Sequence, residues 1–574
     1  MPNLRIGRTT WLLPVILLAT PMLLPLAGRD KSKPPKTNEP PEPSEIAYII
    51  YRIVSNEWQV HKKLVEYSPR IETYLQYYKP EPEIGDTALN DDYFLGRLKF
   101  ENNQSKKGKK ASTEATESSF IPDSTKEWLR HRPEMIRAHV QMDEFAAQPL
   151  VVDENNFDRK HYSFEPVRWE YLGDVRCLAI DIHPLNPRSK GAFEGRIWVE
   201  DHDYAIVRLN GTRVNPGRWD FYFHFDCWRE NLQPGLWLPV YIFSQETDRG
   251  RRFRYKAETR LWGYDLSAHR RQQEWTNILV DAPEPVRDSS EGASDMSPVE
   301  STRQLTMDAE HNVLDRLEKA RLIAPPGPVD KVLETVVNNL LATNHLENLP
   351  PVHCRVMLTS TLESFSLAYT IVLSRGLIDV LPDEPSLAMI LAHELAHIVL
   401  GQKLDVKYAF NDRMQMSDEQ LLARLDIAQS RKDEAAADAK GIELLKKSPY
   451  NDKLGQAGLF LRAAADTSPH VPLLFGAHLG NGLTEGNSKM IRMSALIATS
   501  GAPALSPKSL DQIAALPLGS RVQVNAWDGA VSFTTRKAVP LVDASEKMPF
   551  RVTPVIPYLR AYTQTPKTEA TAQK

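Results

Sequence analysis

Cysteine is nearly absent from this chain: there are three in 574 residues, Cys177, Cys227 and Cys354. That excludes a disulfide-stapled scaffold and leaves room for one bridge at most. Cys177 and Cys227 fall in strand-like runs of the same β-rich region and are the expected pair, with three buried free thiols as the alternative. A dominant charge sign is lacking as well. Lys plus Arg number 70 and Asp plus Glu 74, a formal net charge of −4 at a pI near 6.5. So balanced a chain carries no electrostatic footprint for a polyanion, and nucleic acid is not an expected partner. No cysteine follows closely on the apolar run near the start, so lipid attachment has no acceptor there.

What is present is an ordinary globular composition, 42% hydrophobic and 25% charged, over a length that suggests roughly three or four folding units. The 42 prolines gather in linkers rather than in elements. Arg5 and Arg8 precede WLLPVILLATPMLLPLA at 11–27, closed by Ala27 and Gly28, so residues 1–28 read as a secretory signal peptide. Pro14, Pro21 and Pro25 would interrupt a spanning helix, although an uncleaved signal would leave an N-terminal membrane anchor. Either way the expected location is the periplasm or a secreted cell-envelope setting. A Pro-rich linker follows at 29–45.

From 46 to 281 the pattern is one helix, through Ile49, Ile50, Ile53 and Trp58, and then many short alternating runs. In DFYFHFDCW the residues Phe221, Phe223, Phe225 and Cys227 share one face, while Tyr222, His224, Asp226 and Trp228 share the other, which predicts a half-buried strand. The polar stretch 102–119 reads as a mobile insertion. Asp201-His202-Asp203 has metal-binding residue types but lies at a strand turn, where Asp serves backbone bonding, so it is not taken as a site. A second linker, acidic and rich in Ser and Pro, covers 282–306. Beyond it, Met307–Leu322 and Val329–Leu341 have helical periodicity, the latter with Val332, Leu333, Val336, Val337, Leu340 and Leu341 on an apolar stripe. Two strand-like runs start at Arg355 and Ser366.

The segment EPSLAMILAHELAHIVLG at 384–401 carries the chemistry, with Pro385 placed as a first helical residue and Gly401 at a helix end. It contains His393-Glu394-Leu395-Ala396-His397. A spacing of four puts both imidazoles on one helix face, able to hold one Zn²⁺, with Glu394 beside the first of them as a base for a water molecule. Chance would produce such a pattern in a chain like this with a probability of roughly 2 in 100, and two histidines and a carboxylate in so apolar a helix are costly without a partner. Leu400 and Lys403 stand where a metzincin needs Gly and His, which excludes that branch. A third ligand from a downstream helix is offered by Glu434, four residues before Asp438, with Ala435, Ala436 and Ala437 between them to permit close helix approach. Asp438 would then accept the outer N–H of a ligand histidine. Asp418 and Glu419 are rival ligands, although a capping box over Ser417–Gln420 explains acids there.

HELAH with EAAAD resembles the gluzincin zinc metallopeptidases of the HtpX-like, CAAX-prenyl-endopeptidase-like and BepA-like kind, over residues 307–500. The resemblance implies His393, His397 and Glu434 as zinc ligands, Glu394 as catalytic base and Asp438 behind the ligands. It also implies a substrate-holding strand in SFSLAYTIVLS from Ser364, with Ser366, Leu367, Ala368 and Tyr369 against the substrate backbone. Here the chain departs from the family, with Glu363-Ser364-Phe365 and Leu367-Ala368-Tyr369 in place of Asn-Ala-Phe and a double glycine. His478 and Arg492 are the implied groups near the zinc, stabilising an oxyanion or plugging the site. GRIWVEDHDYAIVRLNG and PGLWLPVYIF resemble the LolA/LolB lipoprotein-sorting fold, a half-open β-barrel around a helix.

The expected fold is therefore multidomain α+β: a β-rich half-barrel-like domain, a mostly helical gluzincin metallopeptidase domain without a long apolar run beside its motif, and a small β region with a disordered tail at 501–574. That last region has a hairpin around Asp528-Gly529. The expected function is a cell-envelope zinc metalloendopeptidase acting on misfolded or outer-membrane-type proteins, its first domain able to engage a lipoprotein or outer-membrane client. The alternative is a carrier or chaperone for hydrophobic clients with a silent zinc site.

Overall fold

Buried Ile49, Ile50, Ile53, Val60 and Leu64 recur at helical spacing along Pro43–Tyr67, which forms helix α1. Trp58 lies about 140° around the helix from Ile53 and is 46% exposed, so it does not belong to the buried stripe the sequence suggested. The structure, a computed structural model, describes residues 43–67, 69–81, 85–101, 110–116, 150–153, 156–214, 223–246, 254–264, 298–381, 383–402, 430–468, 471, 473–475, 484–485, 489–490, 522–526 and 528–533. The segments 1–28 and 29–45, apart from the start of α1, lie outside the described residues, as does most of 501–574. Among the described residues no helix is long and apolar enough to cross a membrane.

Among the described residues, α1 is followed by the strands β1 (Arg70–Glu81), β2 (Gly85–Glu101), β3 (Lys110–Thr116), β4 (Tyr162–Leu172), β5 (Val175–Pro184), β6 (Phe193–Glu200), β7 (Ile206–Arg213), β8 (Phe223–Gln233), β9 (Leu236–Glu246) and β10 (Arg254–Trp262). They form one antiparallel sheet in the order β3-β2-β1-β10-β9-β8-β7-β6-β5-β4, a meander from β4 to β10 whose last strand pairs with β1. The strand β3 falls inside the stretch read as a mobile insertion. Its small and β-branched residues Ala111, Ser112 and Thr113 suit the edge position it takes against β2.

Helix α1 packs its apolar stripe on one sheet face, with Ile71, Ile180, Ile197, Phe225 and Cys227. The alternation in β8 therefore holds for Phe225 and Cys227, whereas Phe221, Tyr222 and the Phe223 side chain lie outside the described residues. The opposite face of β8 is only partly solvated, with Asp226 buried and His224 and Trp228 half-buried. Arg208 on β7 donates two hydrogen bonds to Asp226, at 2.8 and 2.7 Å, and its guanidinium lies between Trp198 and Trp228, 4.3 and 4.4 Å from their ring centres. A paired charge shielded by two indoles is what allows a polar strand face to be buried. Cys177 and Cys227 are free thiols on opposite faces of the sheet. Their strands, β5 and β8, are three spacings or roughly 14 Å apart, beyond the reach of a disulfide, so the expected pairing is corrected.

Further described elements include α2 (Pro298–Lys319), α3 (Pro328–Thr343), β11 (His353–Met357), β12 (Ser364–Leu367), β13 (Thr370–Ser374), α4 (Arg375–Val380), α5 (Glu384–Leu400), α6 (Arg431–Lys446) and α7 (Leu454–Thr467), then the two-residue strands β14 (Thr484–Glu485) and β15 (Lys489–Met490) and the hairpin strands β16 (Val522–Val524) and β17 (Val531–Phe533). The hairpin around Asp528-Gly529 forms as expected. Helix α2 starts at Pro298, inside the acidic stretch read as linker. On α3, Val332 is 45% exposed and drops out of the apolar stripe. The run from Ser366 is not one strand: Leu367 pairs with Thr370 across a two-residue turn, with Ala368 in the left-handed region at φ 51°. Nothing but glycine or Asn-Gly signals such a turn in sequence, so an alanine there hides it.

The large sheet and the helical region share a core. Tyr74, Tyr93, Leu95, Tyr241, Phe243 and Trp262 lie in one apolar cluster with residues of α3, α5 and β11–β13. Buried polar bonds cross the same boundary. Glu72 on β1 accepts from the backbone N–H of Ser360 at 2.5 Å and from its hydroxyl at 2.8 Å, and lies 3.8 Å from Arg375. Gly376 admits this arrangement, since a Cβ there would sit 2.0 Å from the Ser360 carbonyl oxygen. Asp91 on β2 accepts from the N–H groups of Leu473 and Leu474 at 3.2 and 2.7 Å, and Leu474 in turn accepts from the N–H of Leu362, two residues before β12, at 2.6 Å.

Burial pushes the Asp91 carboxyl up to about 8, against the two backbone bonds that pull it down. Between about pH 4, where the unfolded group ionises, and about pH 8, the folded chain holds a proton that the unfolded chain has released. Stability therefore falls as pH rises through that window. Asp91→Asn, neutral throughout, is expected to remove this component, at most about 1.4 kcal/mol per pH unit. Urea midpoints at pH 5 and pH 8 for both proteins would show it, and parallel shifts would count against it.

Candidate metal centre

Helix α5 begins where Asp383 accepts from the backbone N–H of Ser386 at 2.9 Å, carries Pro385 in its first turn, and ends at Gly401 with φ 66°. Both boundaries match the sequence reading. Almost every residue between them is buried, which places His393, Glu394 and His397 inside the protein at 4%, 0% and 0% exposure. Helix α6 packs against α5 and is capped by Ser430, whose hydroxyl accepts from the Asp433 N–H. Glu434 and Asp438, one turn apart, are buried on the face toward α5. Of the three alanines only Ala437 lies in that contact; Ala435 and Ala436 are exposed, because the helical period turns them outward.

The side chains converge. The two imidazoles stand nearly perpendicular, at 88°, with Nε2 atoms 3.1 Å apart. Glu434 Oε2 lies 3.3 Å from His393 Nε2 and 3.9 Å from His397 Nε2. Two nitrogens bound tetrahedrally to zinc at about 2.05 Å are about 3.3 Å apart, so the spacing suits one ion. His393 Nδ1 meets Asp438 Oδ1 at 2.9 Å, and His397 Nδ1 meets Gln402 Oε1 at 2.6 Å. Both partners are acceptors, so both Nδ1 atoms carry protons and the neutral rings aim two lone pairs at one point. A shared cation makes that arrangement favourable, and the donor set fits zinc.

Glu394 accepts from the Ser364 hydroxyl at 2.7 Å, which ties it to β12. Strand β12 is the edge of a three-stranded sheet in the order β11-β13-β12 and packs against α5. Ser366 and Leu367 lie on this strand, Leu367 in the apolar core, while Ala368 and Tyr369 form the turn beyond it. The structure thus brings His393, Glu394, His397, Glu434 and Asp438 together beside the strand holding Ser366. His478, Arg492, Asp418 and Glu419 lie outside the described residues. Among the described residues His393, His397 and Glu434 are the group that could hold a metal. At Asp201-His202-Asp203 the turn is held by Glu200, whose carboxylate accepts from the N–H groups of His202, Asp203 and Ala205. Sequence reasoning missed Gln402 and Ser364. Gln402, five residues past His397 and just beyond the helix-ending glycine, offered a positional signal, whereas Ser364 offered none.

Residues 329–416 match the model of Peptidase family M48, in agreement with the resemblance carried by the HELAH motif; the match ends before Glu434. A search of curated proteins found no match. Among solved structures the chain is similar to a putative outer membrane lipoprotein-sorting protein domain from Vibrio parahaemolyticus. The identity is 12%, with 37% of this chain and 91% of that chain covered, and the TM-score is 0.21. It is also similar to a DUF1329 family protein from Desulfovibrio piger, at 10% identity, 37% and 93% coverage and a TM-score of 0.20.

Proposed function

We propose that this chain is a zinc metalloendopeptidase of the cell envelope that hydrolyses peptide bonds of misfolded or outer-membrane-type proteins. The observation that carries the reading is the convergence of His393 Nε2, His397 Nε2 and Glu434 Oε2 within 4.8 Å of one another, and the M48 match over 329–416 supports the peptidase class. His393, His397 and Glu434 would hold the ion, which when bound polarises the scissile carbonyl and lowers the pKa of water. Glu394 takes the proton from the attacking water and returns it to the leaving amine. Ser364 holds that carboxylate in place, and the edge of β12 at Ser366 and Leu367, with the turn at Ala368 and Tyr369, receives the substrate backbone as an added strand. His478 and Arg492 are proposed to act on the developing oxyanion or to block the site at rest. The N-terminal sheet would present lipoprotein or outer-membrane clients to the site.

Purified protein is expected to hold one zinc per chain. It should digest casein, lose that activity on prolonged incubation with a zinc chelator, and regain it when zinc is restored. Protein without stoichiometric metal, or hydrolysis undiminished after complete metal removal, would overturn the reading.

A further inference from the structure

Gly401 in the left-handed region reverses the chain at the end of α5. The next residue is thereby folded back over the last helical turn. The Gln402 N–H donates to the His397 carbonyl at 3.0 Å, and its side-chain carbonyl reaches His397 Nδ1 at 2.6 Å. The other end of that amide, Nε2, faces Asp433 Oδ1 at 3.4 Å. A carboxylate only accepts, so the amine end belongs on Asp433 and the carbonyl end on the imidazole. A carbonyl also only accepts, so Nδ1 is the protonated nitrogen of His397 and Nε2 carries the lone pair. Asp433 is itself fixed, since the Ser430 hydroxyl donates to its Oδ2 at 2.6 Å at the start of α6.

We propose that Gln402 is a positioning residue for the metal centre, setting the tautomer and ring plane of His397 as Asp438 does for His393. Because the same amide joins Asp433, it also ties the end of the helix bearing the two histidines to the start of the helix bearing Glu434. The proposal rests on the metal reading above and names a residue that neither motif contains. Removing the acceptor takes away the bond that orients Nδ1 of a buried ring and loosens the ring plane, so metal affinity suffers before the fold does.

The test is zinc affinity of the full chain, measured by competition with a chromophoric chelator. Gln402→Met, similar in volume and without an acceptor, is expected to weaken zinc by roughly 10- to 100-fold with an unchanged circular-dichroism spectrum. A second measurement needs no variant. In zinc-loaded protein with ¹⁵N-labelled histidine, the His397 Nδ1 proton is expected downfield and slow to exchange. A Gln402→Met variant that binds zinc as tightly as wild type, or a His397 Nδ1 proton exchanging as fast as that of an exposed ring, would overturn the role of Gln402 alone. Wild-type protein that takes up no zinc would overturn the metal reading and this inference with it.

Discussion

Replacing Glu394 by alanine is expected to lower peptide hydrolysis by roughly 10²- to 10⁴-fold, the range that a positioned general base contributes, while one zinc per chain remains bound. Glu394 is no ligand in the proposed site: its Oε1 is engaged with the Ser364 hydroxyl at 2.7 Å, so its loss leaves the three donor atoms in place. Alanine also deprives a buried hydroxyl of its acceptor, at a cost of about 1–3 kcal/mol. Glu394→Gln keeps an acceptor for Ser364 and separates the two effects. Both variants should be inactive, and only the alanine form should be measurably less stable. Initial rates on one unfolded substrate, with metal content determined on the same samples, decide the matter. An alanine variant as active as wild type would remove Glu394 from the reaction.

The second large effect concerns a residue far from the histidines in sequence. Glu72→Ala is expected to destabilise the protein by about 3–5 kcal/mol, the usual consequence of leaving one member of a buried charged cluster behind. Glu72 is 1% exposed and accepts from Tyr93 as well as from both the N–H and the hydroxyl of Ser360, while Arg375, which also pairs with Asp379, lies beside it. Its removal leaves the buried Arg375 guanidinium with one carboxylate fewer, Asp379 remaining, and takes the acceptor from Tyr93 and Ser360. Against a typical total of about 5–15 kcal/mol the loss is severe. Because Ser360 leads into β12, peptidase activity should fall at lower urea concentrations than in wild type, together with the far-ultraviolet signal of the sheet. Sheet and activity lost in two separate transitions would show that the contact does not couple them.

The legible part of the site was the part written in helical spacing. His393, Glu394 and His397 lie within one turn, and Glu434 and Asp438 within another, so a rigid period converts sequence distance into geometry. Gln402 was missed because its place beside His397 depends on the left-handed backbone of Gly401, which turns the next residue back over the helix end. The contact between the sheet and the helical region was invisible for another reason. Glu72, Asp91 and Arg375 are ionisable and read as solvent-facing, and only tertiary structure reveals that each has found a buried partner. Likewise the Arg208–Asp226 pair buries Asp226 on a strand face that read as solvent-facing. Charge pattern misleads wherever pairing substitutes for water. The split of SLAYTIVLS into β12 and β13 escaped notice because Ala368 occupies a conformation that other residues advertise.

Burial of the donors has a bearing on how an ion comes and goes. With His393, His397 and Glu434 each at 4% exposure or less, an ion held by them would offer solvent only the side of its coordination sphere that the three donors leave open. Release that waited on a parting of α5 and α6 would be governed by the rate of local opening as well as by affinity. The metal content of such a chain would then record the compartment in which the two helices closed, and a wrong ion acquired there would persist after the correct one became abundant.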